Sequence, residues 1–211
     1  MGFSTLIDIL GAAIIGGMVM LSVRALILNS SEKSNQFQNE LIAQQNLVSL
    51  VEVIEHDFAR IGYCENADSI EAPEDMIVYA DSTKISFKTD FAQGFQNIRG
   101  DGTKDILTYE LGPTITSTPN PYDRLLYRYA KGETKNGSNL GITEFRLNYF
   151  DNMGNELSHP IDTKLISYVQ IDIKVEDSYG YDTGNDEKIH SEKYPTIFWR
   201  QIRVAAKNMS R

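Results

Sequence analysis

The sequence lacks several features that would restrict its fold or its chemistry. It has one cysteine, Cys64, so no intrachain disulfide can form. The first of its six prolines is Pro73, and no proline therefore interrupts a helix in the N-terminal third of the chain. No lysine or arginine precedes Arg24, although a signal peptide normally begins with basic residues. These absences favour a long N-terminal helix that is not a signal peptide.

Positive charge is also scarce. The 211 residues include 20 Lys and Arg against 29 Asp and Glu, which gives a net charge of −9. A surface that neutralises phosphates needs the opposite sign, so we expect no nucleic-acid partner. The sequence contains no nucleophile elbow, phosphate-binding loop or dinucleotide-binding signature. We therefore expect a protein that is not an enzyme and that needs no cofactor.

Residues 3–28 form an apolar segment. Ile9–Val23 contains no charged residue, and Ala25–Leu28 extends the run beyond Arg24. Together they approach the ~20 residues that span a bilayer core, so the segment is predicted to be a transmembrane helix. Arg24 is near one end, where its long side chain can reach the interface. Asp8 is near the other end, and it either lies at the interface or has a functional partner.

The same segment contains closely spaced small residues. Ala12 precedes Gly16 by four positions, and Ala13 precedes Gly17 by four positions. Such pairs let two helices approach closely in lipid, which makes Gly16 and Gly17 candidate assembly residues. The alternative is that these residues reflect the ordinary composition of a membrane span.

Beyond the apolar segment, residues 29–62 continue as a polar helix with an apolar stripe. Large apolar residues recur at three- and four-residue steps and predict a face that packs on another element: Phe37, Leu41, Leu47, Leu50, Val51, Ile54, Phe58 and Ile61. Gly62 follows the last of them and is a suitable helix terminator.

Residues 63–211 show a different period. Apolar residues alternate with polar ones in Ile85–Phe87, Leu107–Leu111, Phe145–Tyr149 and Val169–Val175, and the same period places Leu125, Tyr127 and Tyr129 on one face. Alternation is typical of antiparallel sheets with one buried and one wet face. Because the sheet and the helix stripe each need a cover, the sequence predicts an α+β fold in which they pack together.

Asp101 and Asp105 are candidate calcium ligands. With Thr103 they occupy alternating positions that could begin a calcium-binding loop. The complete calcium-loop pattern is absent, and Asp101-Gly102 is also a turn signal between strands.

Several stretches, in their order along the chain, resemble type IV pilin-like proteins, closest to PilW-like minor pilins and J-type minor pseudopilins of type II secretion. Gly2-Phe3 before an apolar helix resembles a prepilin cleavage context. The other stretches are LVEVIEHDFARIGY (50–63), KISFKTD (84–90), ILTYEL (106–111), LLYR (125–128), ITEFRLNYFDNMG (142–154) and ISYVQIDIKV (166–175).

The resemblance implies a structural subunit of a pilus-like or pseudopilus filament. Residues 1–28 would be the transmembrane or filament-core helix, 29–62 its amphipathic continuation, and 63–211 the β-rich head. The partners would be other copies or other pilin-like subunits, with residues 3–28 in the bacterial inner membrane before assembly. After assembly the filament would be periplasmic or at the cell surface. The alternative is a membrane-anchored binding or adhesion module that does not polymerise.

Two positions depart from the family pattern. Members normally carry a basic leader before the cleavage site, whereas only Met1 and Gly2 precede Phe3 here. They also usually carry a glutamate at the fifth mature residue, which would be Ile7 if the mature chain began at Phe3. The nearest acid is Asp8. In a filament core its carboxylate would need a partner, and the terminal amine of a neighbouring subunit is the candidate.

Overall fold

The computed structural model describes residues 2–66, 72, 75–90, 100–177 and 197–205. The chain divides into two compact units, Met1–Leu41 and Ile42–Arg211. The first unit consists of helix, and the second contains the end of the same helix and a β-sheet.

One helix, α1, runs from Gly2 to Ala59 without a break at the polar Asn29-Ser30-Ser31 sequence. It ends three residues before Gly62, whose φ is +74°. The chain reverses there through hydrogen bonds from Tyr63 N–H to the Arg60 carbonyl and from Gly62 N–H to the Lys88 carbonyl. The long helix predicted from the sequence is therefore present.

The sheet contains seven antiparallel strands in sequential order. The strands are β1 (Ile77–Ala80), β2 (Lys84–Thr89), β3 (Asp105–Thr114), β4 (Arg124–Ala130), β5 (Gly137–Phe150), β6 (Tyr168–Glu176) and β7 (Ile197–Val204). Each strand pairs with the next one along the chain, so β1 and β7 are the edges of this sheet. The predicted α+β arrangement is confirmed.

The C-terminal part of α1 packs on one face of the sheet. Of the predicted packing residues, Leu47, Val51, Ile54, Phe58 and Ile61 are buried in one hydrophobic core with the sheet residues. Phe58 lies at the centre, with its ring 5.2 Å from that of Phe87 and 5.5 Å from that of Tyr109, measured between centroids. These aromatic contacts add to the burial of apolar area that holds helix and sheet together.

The packing prediction is wrong for Phe37 and Leu41. Their exposed fractions are 60% and 41%. The first helical residue in the core is Ala43, so the apolar stripe begins before the stretch that the sheet covers. Periodicity shows which face of a helix is apolar but not how far along the helix a partner extends.

The two faces of β4 differ in burial. The core contains Leu126 and Ala130, whereas Leu125, Tyr127 and Tyr129 are only half-buried on the other face. Tyr127 lies over two glycines: a Cβ atom built on Gly112 would be 2.5 Å from its ring, and one built on Gly137 2.9 Å. The ring occupies the space that side chains would otherwise fill, which explains an aromatic residue on the outer face.

Candidate functional site

The first part of α1 exposes apolar side chains on every side. Phe3 is 80% exposed. The other exposed large residues of this segment are Leu6, Ile7, Ile9, Leu10, Ile14, Ile15, Met18, Val19, Met20, Leu21, Val23, Leu26, Ile27 and Leu28. By length and composition, this is the one helix among the described residues that could cross a membrane. A helix that is apolar all round requires a cover that is itself apolar.

The four other predicted assembly residues are on this surface. Asp8 and Arg24 are both exposed, close to the two ends of the apolar run. A Cβ atom built on Gly16 or Gly17 would meet nothing within 4 Å. The space beside these two glycines is therefore open, and another helix or lipid can approach it.

A buried carboxylate connects the helix to the sheet. Asp57 is 5% exposed, and its Oδ2 atom accepts hydrogen bonds from Tyr109 Oη at 2.5 Å and from Arg128 Nε at 2.6 Å. Arg128 Nη2 donates a second bond to Asp57 Oδ1 at 3.2 Å. One side chain from α1 thus meets one from β3 and one from β4. A bidentate, charge-assisted pair of this kind fixes geometry as well as adding stability.

The surroundings of this cluster shift two pKa values. Burial, followed by the neighbouring charge of Asp57, raises the pKa of Tyr109 well above its usual value. Burial lowers the pKa of Arg128, but its hydrogen bonds to Asp57 outweigh that effect and raise it. The cluster therefore keeps a neutral phenol and a charged guanidinium at neutral pH.

Sequence reasoning missed this cluster. Asp57 falls between residues of the apolar stripe, and its local pattern gives no sign of a partner on the sheet. One signal was present: Arg128 alternates with Leu126 and Ala130, as an inward-facing residue must. An arginine in an inward position requires an acid close by.

A second buried carboxylate holds the loop in which Asp101 lies. Asp90 is fully buried, and its carboxylate accepts the backbone N–H groups of Glu65, Asp101 and Gly102 at 2.9–3.0 Å. The carboxylate of Asp101 in turn accepts the N–H of Thr103 at 2.8 Å. The side chain of Asp101 therefore stabilises a turn at the turn signal Asp101-Gly102.

The second calcium candidate, Asp105, is unfavourably placed. Its Oδ2 atom is buried and has no hydrogen-bond partner. Burial and then the charges of Asp101 and Asp90 raise its pKa. Within the described ranges, no group of three or more His, Cys, Asp or Glu residues is arranged to hold a metal ion.

The outer face of the sheet carries an ion cluster around Glu110. Lys135 Nζ is 2.8 Å from both carboxylate oxygens, Lys84 Nζ is 3.1 Å from Oε2, and Tyr129 Oη donates to Oε2 at 2.9 Å. The hydrogen bond from Lys135 is the main cause that lowers the pKa of Glu110 to about 2. The cluster connects β2, β3 and β4 on the face opposite α1.

Comparison with known proteins adds no further constraint. No protein-family model matches this chain, and no curated protein or solved structure matches it significantly.

Proposed function

We propose that this protein is a structural subunit of a type IV pilus-like or pseudopilus filament. The observation that supports this is the helix Gly2–Ala59, which carries an all-round apolar surface in its first half and belongs to the core of a folded head in its last part. The resemblance of the sequence to pilin-like proteins points the same way.

The apolar surface can be covered in two ways. Lipid covers a single helix of this length in a membrane. Alternatively, the apolar helices of many copies pack together and cover one another, with Gly16 and Gly17 allowing close approach. A subunit stored in the inner membrane and later assembled into a periplasmic or surface filament would use both covers in turn.

Transfer between these two environments requires the head and the helix to move together. The core residues Leu47, Ile54 and Phe58 and the contacts of Asp57 with Tyr109 and Arg128 join α1 to the sheet. A force applied to the head is then transmitted to the helix. The head does not need to unfold when the helix leaves the membrane.

A cross-linking experiment tests this function. The only native cysteine, Cys64, is buried, so a Cys64→Ser background with Ile14→Cys reports contacts of the apolar helix. In surface material sheared from cells, we expect filaments that contain the chain and disulfide-linked dimers after mild oxidation. The Cys64→Ser chain without Ile14→Cys is the matched control and should give no dimers.

The competing function is a membrane-anchored module that binds a ligand without polymerising. It predicts that the chain stays in the membrane fraction as a monomer and that the sheared material contains none of it. That result would overturn the filament proposal.

A further inference from the structure

The turn between β4 and β5 ends at the one Asn-Gly pair of the sequence, Asn136-Gly137. Every residue from 131 to 139 is exposed, so this pair is in contact with water. Asparagine is among the thermolabile residues of proteins. Glycine has no Cβ atom and adopts a wide range of backbone angles, which lets its nitrogen approach the side chain of the preceding residue. The pair therefore combines a reactive amide with an unhindered backbone nitrogen.

The backbone N–H of Gly137 is not bonded to the neighbouring strand. Lys131 N–H donates to the Ile106 carbonyl, and the register from there to Tyr127 has no bulge. Alternation along β4 therefore directs the backbone groups of Tyr127 to β3, so Tyr127 and Gly137 lie opposite each other without exchanging hydrogen bonds. On its other side β5 first pairs with β6 at Ile142. No ladder bond of the described sheet therefore occupies the Gly137 nitrogen.

The side chain of Asn136 is also free to move toward that nitrogen. It makes no hydrogen bond with any residue that the structure describes. Two other exposed asparagines differ, because Asn155 Nδ2 donates to Asp151 Oδ2 at 3.0 Å and Asn139 Oδ1 accepts the N–H of Gly141 at 3.3 Å. Both of these asparagines are also followed by residues that have a Cβ atom.

We propose that Asn136 is a site of spontaneous deamidation. The Gly137 nitrogen gives up its proton to water and attacks Cγ of Asn136, so that a new C–N bond forms while the Cγ–Nδ2 bond breaks. The leaving nitrogen takes up a proton and departs as ammonia. Water then opens the cyclic imide at either of its carbonyls and supplies the oxygen of the new carboxylate. The product is aspartate or isoaspartate, and the reaction needs no oxidant or cofactor.

Both products place a carboxylate next to Lys135. The Nζ atom of this lysine is 2.8 Å from both carboxylate oxygens of Glu110, and it lies 5.5 Å from the ring centroid of Tyr127. Isoaspartate also routes the backbone through the former side chain, so the chain becomes longer immediately before β5. A Cβ atom built on Gly137 would be 2.9 Å from the Tyr127 ring, so this contact has no spare room. We expect the longer backbone to displace it.

Ageing of the full-length chain in detergent tests the reaction. In mildly alkaline buffer made with heavy-oxygen water, mass spectrometry should show that the side-chain nitrogen of Asn136 is replaced by a solvent oxygen. The conversion should be faster at higher pH, because the attacking nitrogen must lose its proton. Asn136→Gln is the matched control, since its longer side chain would have to close a larger ring. Asn152 and Asn155, both exposed, are internal controls in the same sample.

The comparison between these sites decides the proposal. Conversion that is faster at Asn136 than at Asn152 and Asn155, and that disappears in Asn136→Gln, supports it. Conversion that is absent, or equally fast at all three asparagines, overturns it. The measurement requires no filaments, so its outcome does not depend on the proposed filament function.

Unfolding of the aged chain tests the effect on the sheet. Asn136→Asp carries the new charge without the longer backbone, and it is therefore the matched comparison. The isoaspartate form, separated from aged wild-type chain, should unfold at a lower denaturant concentration than Asn136→Asp. Equal midpoints would show that the longer backbone does not disturb the contact between Tyr127 and Gly137.

Discussion

Arg128 on β4 and Asp57 on α1 form a bidentate ion pair across the interface between helix and sheet, with Nε 2.6 Å from Oδ2. The side chain of Asp57 is 7% exposed and that of Arg128 is 40% exposed. The carboxylate is therefore the buried partner, and the guanidinium reaches it from the rim of the core. This pair and the Tyr109 hydroxyl fix the position of the helix on the sheet more specifically than apolar contacts alone can.

Replacing Asp57 should destabilise the head strongly. Asp57→Asn removes the charge that Arg128 and Tyr109 face, and breaking one side of a buried pair costs about 3–5 kcal/mol. We expect a loss near the lower end of that range, because Arg128 retains contact with water. Chemical unfolding of the full chain in detergent measures it.

The neighbouring variant Glu55→Gln is the matched control for Asp57→Asn, since it neutralises an exposed acid two residues earlier on the same helix. It should change stability by less than about 0.5 kcal/mol. Equal losses of stability from both variants would show that the contacts of Asp57 with Arg128 and Tyr109 do not stabilise the fold.

Gly100 should not tolerate a side chain. It has a φ of +124°, and a Cβ atom built there would collide with the carboxylate of Asp90. Gly100→Ala should therefore disturb the three N–H bonds that Asp90 accepts. Gly132→Ala controls for backbone strain, because Gly132 has a φ of +97° with nothing within 4 Å of its built Cβ.

Both glycine variants share the cost of a left-handed backbone, about 1–3 kcal/mol. Gly100→Ala should lose a further ~1–3 kcal/mol, because buried groups lose their partners. Equal unfolding free energies for the two variants would show that the Asp90 contacts add no stability.

Low pH should remove the stability that the ion pairs of Glu110 contribute to the fold. Its pKa is about 2 in the folded protein against 4.5 for a free side chain, so its ion pairs stabilise the fold above about pH 4.5. That contribution is lost as the pH falls toward 2. Glu110→Gln should be less stable than wild type at about pH 6, and the difference should shrink toward about pH 3. A difference that does not depend on pH would refute this assignment.

The contribution of Asp105 to stability should depend on pH in the opposite direction to that of Glu110. Its pKa is raised by burial and by neighbouring acids, so the ionised form is less favourable in the folded state. The stability it contributes is present at acidic pH and is lost as the pH rises through the folded pKa. Asp105→Asn should therefore stabilise the protein at neutral pH.

Millimolar calcium should leave the unfolding curve of the wild-type protein unchanged. An increase in stability that depends on calcium would support a calcium site at Asp101 and Asp105.

Asp8 provides a test of the filament core. If its carboxylate pairs with the terminal amine of a neighbouring subunit, Asp8→Asn should reduce filament yield while leaving the amount of chain in the membrane unchanged. Glu32→Gln, which neutralises another exposed acid on the same helix, is the control. Normal yield and normal filament stability for Asp8→Asn would contradict the pairing.

Local patterns in the sequence were sufficient to predict the helix and the strands of the fold. The three- and four-residue steps through Leu47, Ile54 and Phe58 predicted the packed helix face, and the two-residue steps through Phe145–Tyr149 and Val169–Val175 predicted strands of the sheet. These patterns succeed because side-chain periodicity follows directly from backbone geometry. The absence of proline before Pro73 likewise predicted an unbroken helix.

The extent of the packed helix face, the buried face of β4 and the ion pair were decided by the tertiary structure. These features depend on which residues, distant in sequence, come into contact. Phe37 and Leu41 continue the apolar stripe but lie outside the core, and periodicity carries no information about where a covering sheet ends. Leu125, Tyr127 and Tyr129 on one face of β4 are as apolar in pattern as Leu126 and Ala130 on the other, so only the fold shows which face is buried. Only the fold brings Arg128 to Asp57, 71 residues away in sequence, and makes a buried ion pair from two residues that resemble surface charges. The sequence by itself determined a long apolar helix and a strand-rich head; the fold determined how they are joined.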